Sequence, residues 1–267
     1  MRDRFGGNKK VMRRTKVYGL ILILLAVMVV QAAPTSTGFQ TSGDSEAYFN
    51  QGVAATESGR YKEAIESLKQ AIQLRPDFAE AYNNLGVAYS KLQRNKEAAD
   101  SFEQAIRLNP KLEQAYNNLG YVYAAERHFE KAIAAYQQSI RINPNYMFPH
   151  LNLGMAYAEL GRIQDAVASL TQAVRLEPDF AVAYHNLGYV LTKAGKYEEA
   201  VEAYQKAILL KPDLAGAYHN LAVAYLEQGH RNLALEQYRR LKAVDKDMAG
   251  RLLDVINQDR VVIVRKQ

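Results

Sequence analysis

Tyr82-Asn83-Asn84-Leu85-Gly86-Val87-Ala88-Tyr89 is the stretch on which the fold of this 267-residue chain turns. Its pattern returns at Tyr116–Tyr123, His150–Tyr157, Tyr184–Leu191 and Tyr218–Tyr225, each copy 34 residues after the last. A glycine keeps the same step (Gly52, Gly86, Gly120, Gly154, Gly188), as do an alanine (Ala64, Ala98, Ala132, Ala166, Ala200, Ala234) and a proline (Pro76, Pro110, Pro144, Pro178, Pro212). A self-similar period of this length marks a stacked helix-turn-helix solenoid. Such a chain builds an extended surface for holding partners and encloses no catalytic pocket.

One repeat explains the period. Between Ala79 and Leu112, Tyr82, Leu85, Gly86 and Tyr89 fall at helical spacing on one face of a first helix. Ala98, Phe102, Ala105 and Ile106 align the same way on a second, from about Lys96 to Leu108. Glycine inside a helix costs roughly 1 kcal/mol against alanine, so its return at each equivalent of Gly86 predicts close backbone approach between the paired helices. Asn109-Pro110 ends the second helix, because the residue before proline is pushed out of the α region. No helix pair buries its apolar face alone, so the copies must stack.

Six copies are expected, at 45–78, 79–112, 113–146, 147–180, 181–214 and 215–248. The last has Ala222 for glycine and Lys246 for proline, as a terminal repeat would. Residues 247–267 read as a capping helix and tail. There Met248, Leu252, Val255 and Ile256 cover the exposed end, and the Val261-Val262-Ile263-Val264 run has no assigned role.

The net charge of +6 sits entirely in residues 1–16, where seven basic side chains face Asp3 alone; the rest of the chain carries 27 basic and 27 acidic groups. A neutral repeat domain lacks the net basic face that nucleic acid requires. With no cysteine, disulfides, thiol catalysis and a lipidated N-terminal cysteine are excluded.

After the basic stretch, Val17–Val30 is apolar throughout, and Val30-Gln31-Ala32 forms a small-residue cleavage site. Residues 1–32 therefore read as an export signal, either cleaved or retained as a single-pass anchor, since the apolar run nears the lower limit for a spanning helix. Either way the basic residues hold the N-terminus inside and place the repeats outside the cytoplasm, in the periplasm or cell envelope. Arg13-Arg14 lacks the bulky apolar pair that a twin-arginine signal carries. Residues 33–44, rich in Ser, Thr, Gly and Pro, read as a flexible linker.

The Tyr82–Tyr89 run, with Ala98, Phe102, Ala105 and Pro110, resembles the tetratricopeptide repeat family over about residues 45–248. The resemblance implies a right-handed all-α solenoid whose first helices line a concave groove where partner peptides lie. Counted from the start of each repeat, positions 2, 5, 6, 9 and 13 point roughly opposite the core face. Position 6 is asparagine in every copy: Asn50, Asn84, Asn118, Asn152, Asn186 and Asn220. An asparagine amide donates and accepts at once, which suits a peptide backbone. The arrangement is similar to the asparagine ladder of the O-linked N-acetylglucosamine transferase superhelix; inter-helix hydrogen bonding is the alternative role. Tyr121, Met155 and Tyr189 at position 9 join Phe148, Leu151 and Val182 as an apolar patch for a partner, with contact to the next repeat's helix as the alternative.

His185 and His219, both at position 5, lack the further ligands that zinc needs and read as structural or peptide-contacting. The family's clamp for a partner's C-terminal carboxylate needs lysine at position 5, which no repeat has. No phosphate-cradling loop, nucleophile elbow or His-Glu-x-x-His occurs.

The expectation is a non-catalytic, cofactor-free adaptor for a protein or peptide, touching membrane only through its N-terminal segment. The alternatives are a self-associating scaffold whose C-terminal tail docks in another copy, and the targeting subunit of an enzyme. Six repeats behind an export signal are also similar to type IV pilus assembly proteins, which usually carry the lipidated cysteine absent here.

Overall fold

The computed structural model describes residues 40–264, with side chains over 43–258. Among these residues the chain forms thirteen α-helices and no strand, an all-helical repeat solenoid. The readings of residues 1–32 as an export signal and of 33–39 as linker lie outside the described residues. Among the described residues no helix is long and apolar enough to cross a membrane. The chain divides into two compact units, one ending at Ala156 and the other beginning at Tyr157.

The first unit holds α1 (Gln40–Glu57), α2 (Tyr61–Leu74), α3 (Ala79–Lys91), α4 (Asn95–Leu108), α5 (Glu113–Ala125), α6 (Phe129–Ile142) and most of α7 (Met147–Glu159). Helix α1 starts five residues inside the stretch read as linker. Once Phe49 and Val53 anchor its C-terminal half in the core, adding a turn at the N-terminus costs far less than nucleating a helix.

The mid-helix glycines meet the side chain sixteen residues later. A Cβ built on Gly52 would lie 2.6 Å from Leu68 Cγ, one on Gly86 2.6 Å from Phe102 Cε1, and one on Gly120 2.6 Å from Tyr136 Cε1. Those three residues are fully buried. The helix pair therefore closes over a large side chain that only glycine can face. Each of these second helices ends two residues before its proline, and the residue between, Arg75, Asn109 or Asn143, leaves the helical region at φ −135°, −133° and −134°. Phe78, Leu112 and Tyr146 are then turned into the core to open the next repeat.

The second unit adds α8 (Ile163–Leu176), α9 (Ala181–Lys193), α10 (Tyr197–Leu210), α11 (Ala215–Glu227), α12 (Arg231–Val244) and α13 (Lys246–Val264). Gly188 faces Tyr204 at 2.7 Å as its counterparts do. Where proline is missing, Asp245 takes the extended conformation (φ −146°) and its carboxylate accepts the Met248 N–H at 2.8 Å, capping α13. Ala249, Leu252 and Ile256 of that helix are buried in the unit's core and Met248 packs beside it. The Arg231 guanidinium donates to the Ile256 carbonyl. The Val261–Val264 side chains lie outside the described ones.

Between the helices of each pair, one residue adopts a left-handed conformation. It is glycine at Gly59, Gly161, Gly195 and Gly229, but Gln93 (φ 60°) and Arg127 (φ 64°) hold the equivalent place in repeats two and three.

Candidate functional site

In the first unit the position-6 asparagines bond across repeats. Asn118 Nδ2 donates to Asn83 Oδ1 at 3.0 Å, and Asn152 Nδ2 donates to Asn117 Oδ1 at 3.1 Å. Asn117 Nδ2 donates to Asn118 Oδ1 at 3.4 Å, joining the two. Four amides thus form one directional chain, each donating toward Asn83. Asn84, Asn118 and Asn152 are buried and Asn50 is exposed. The inter-helix role accounts for these bonds: position 6 reaches back to position 5 of the preceding repeat. Sequence reasoning named position 6 and missed its acceptors, although Asn83 and Asn117 were legible as a second polar residue beside it.

The apolar candidates divide by exposure. Tyr121 and Phe148 are half-buried. Leu151 (0% exposed) and Met155 (2%) are closed to solvent and do not form an open patch. Val53 and Val87, at position 9 of repeats one and two, belong to the same core as Phe49 and Phe102, packing between helices. The flanking positions 2 and 13 remain partly open, at Glu80, Gln114 and Lys91. A wheel drawn for one helix misses this, because the neighbouring repeat covers the middle of the face and leaves its edges.

Two polar clusters stand where repeats join. In repeat one, Arg75 Nη1 lies 3.6 Å from Glu46 Oε1, and its guanidinium sits 3.1 Å from the centre of the Phe78 ring. In repeat three, Glu113 Oε1 accepts from Gln114 Nε2 (3.3 Å) and Asn143 Nδ2 (3.2 Å), and the Glu113 carbonyl accepts from Ser139 Oγ (2.8 Å). Tyr146 packs edge-on to Phe148, ring centres 5.7 Å apart. Its hydroxyl is buried with no partner, as is Gln114 Oε1. Burial first, and the Glu113 charge second, push the Tyr146 hydroxyl above the usual tyrosine range, so it stays protonated.

In the second unit Val182, His185, Asn186, Tyr189, His219 and Asn220 are all buried. Asn220 Nδ2 lies 3.0 Å from His185 Nε2, repeating the position-6 to position-5 bond with histidine as acceptor. His219 Nδ1 lies 3.3 Å from Asn220 Oδ1. Burial holds His185 down at about 4, so the ring is neutral near pH 7 and its Nε2 accepts. The two histidines are therefore parts of a packed polar network and not an open contact surface. Among the described residues no group of three or more His, Cys, Asp or Glu side chains is placed to hold a metal. Burial, and secondarily the Glu159 charge, push the Tyr189 hydroxyl up to about 12. The Lys193 ammonium sits 5.0 Å from the centre of that ring. Lys193 and Glu159, both at position 13, stay partly open.

Models of the tetratricopeptide repeat match residues 52–93, 79–112, 113–146, 135–168, 154–195, 188–229 and 215–248. Among curated proteins no sequence matches the chain. Solved structures do. YrrB, described as a TPR protein with an unusual peptide-binding site, is 22% identical over 71% of this chain and 99% of its own, with a TM-score of 0.59. PilW, a widely conserved type IV pilus biogenesis factor, is 22% identical over 77% of this chain and 94% of its own, with a TM-score of 0.69. TTC0263 of Thermus thermophilus is 27% identical over 68% of this chain and 99% of its own, with a TM-score of 0.57.

Proposed function

This chain belongs to the tetratricopeptide repeat family, and we propose that it is a non-catalytic adaptor that holds an extended peptide or a partner subunit against its first helices. The observation that carries the reading is the partly open side chains left on those helices: Glu80, Lys91, Gln114, Tyr121 and Phe148 in the first unit and, separately, Glu159 and Lys193 in the second. Half-buried aromatics flanked by polar edges are the composition of binding hot spots. The peptide-binding site described for YrrB supports the same use of the fold. With Asn118 and Asn152 bonded to Asn83 and Asn117, and Asn220 to His185, recognition falls to the edge positions.

Changing Tyr121 and Phe148 together to Ser tests this. Both are partly exposed, so the helix content stays intact, while capture of whatever protein co-purifies from cell membranes drops at least about tenfold. Undiminished capture would move the partner to the second helices.

The adaptor works outside the cytoplasm in this proposal, on the strength of the basic Arg2–Lys16 stretch and the apolar Val17–Val30 run. A reporter active only outside the cytoplasm, joined to the C-terminus of the full chain, should be active; a silent but expressed fusion refutes the placement. The apolar Val261–Val264 tail keeps a second reading, assembly of copies of this chain. Sedimentation before and after removing residues 259–267 separates the two, since only self-assembly would change mass.

A further inference from the structure

Within one chain, repeat one shows what repeat three lacks. At the end of α2, Arg75 bridges a carboxylate at the head of its repeat (Glu46, 3.6 Å) and the face of the aromatic ring that opens the next one (Phe78, 3.1 Å). Repeat three keeps the ring, at Tyr146, and has a carboxylate one position earlier, at Glu113, with Gln114 in the place of Glu46 and the shorter, uncharged Asn143 at the position of Arg75. The Asn143 amide reaches one oxygen of Glu113. Two further oxygens beside it, Gln114 Oε1 and the Tyr146 hydroxyl, are buried without a partner, and Tyr146 is 8% exposed. A carboxylate, two unused acceptors and an aromatic ring are what a guanidinium satisfies, with five donors in a planar fork and a face that stacks on rings. Lysine, a compact point charge, would meet fewer of them.

We propose that the junction of repeats three and four binds an arginine side chain of the partner peptide, in the place that Arg75 fills internally in repeat one. This rests on the adaptor reading and gives it a side-chain preference. The guanidinium pairs with Glu113, donates to Gln114 Oε1 and lies against Tyr146. The first-helix edges of the first unit then receive a basic segment through one buried anchor.

The test uses the full chain and a fluorescein-labelled alanine-based peptide carrying one central arginine, with its citrulline counterpart as the neutral isostere. Fluorescence polarisation should give binding about tenfold tighter for arginine, the size expected of a hydrogen bond to a charged group. Glu113→Gln keeps an acceptor for Asn143, so melting should not change while the arginine preference disappears. Asn143→Arg puts a guanidinium of the chain's own at the position that Arg75 holds in repeat one and should shut the probe out, whatever Glu113→Gln does to folding. Equal binding of the two peptides, or an arginine preference that survives Asn143→Arg, overturns the inference. So does failure of the arginine peptide to bind; the adaptor reading would still stand or fall separately, on the Tyr121 and Phe148 variant.

Discussion

Replacing Gly120 by alanine sets two effects of similar size against each other. Alanine is the better helix former by about 1 kcal/mol. At this site, however, its Cβ would meet Tyr136 Cε1 at 2.6 Å, Cδ1 at 2.8 Å and Cζ at 3.1 Å. Tyr136 is fully buried, so its ring has no free volume to move into. Overpacking of this kind costs about 1–3 kcal/mol, so Gly120→Ala should destabilise by about 1 kcal/mol net. Gly250 in α13 supplies the control, because nothing lies within 4 Å of a Cβ built there. Gly250→Ala should therefore stabilise by nearly the full propensity gain of about 1 kcal/mol. Urea denaturation followed by circular dichroism gives both values. Hydrogen exchange should place the Gly120 loss in α5 and α6, since stability in a solenoid is close to a sum of neighbour terms. If Gly120→Ala stabilises as Gly250→Ala does, the closure of helix over ring is not what excludes a side chain there.

Three further outcomes are expected. His185 holds about 4 in the folded protein against 6.5 for the free side chain. Below pH 6.5 the unfolded chain binds the proton first, so stability falls as pH drops from 6.5 to about 4, by about 3 kcal/mol in all. Denaturation midpoints across that range should flatten in His185→Asn, and an unchanged slope would refute the assignment. Gln93→Gly and Arg127→Gly remove left-handed strain and should each stabilise by about 0.5–1 kcal/mol after the entropy gained by the unfolded chain; a drop in melting temperature would count against it. Leu151 and Met155, changed together to Ser, should cost several kcal/mol by thermal melting, about the price of emptying two core sites; a normal melt would return them to the surface.

The helix pairs were legible because glycine and proline act locally. Gly86 and Pro110 each announce a constraint that the residue itself imposes, and both were met. The face of the first helix was only half legible. Rotation about one helix axis set Asn118, Leu151 and His185 on a common face, but could not say what the next repeat would lay over them, nor that the His185 ring would stand 5.8 Å from that of Tyr204 in α10. The bonds that decide their role run between residues 35 apart, such as Asn118 to Asn83, one more than the period that sequence reading follows. The Arg75 and Glu113 sites were hidden for a related reason. Each joins the head of a repeat to its tail, positions that a reading centred on the Tyr82–Tyr89 run leaves at the margin.

The amide chain also sets a rule of succession. Three asparagines at position 6 reach back for an acceptor at position 5 of the repeat before: Asn118 to Asn83, Asn152 to Asn117 and Asn220 to His185. A copy of repeat two or three set behind either one finds a ready partner, because Asn83 and Asn117 both present a carbonyl. Tandem duplication of repeat two or three would thus carry the amide chain onward unbroken, a grammar of order written in one residue per module.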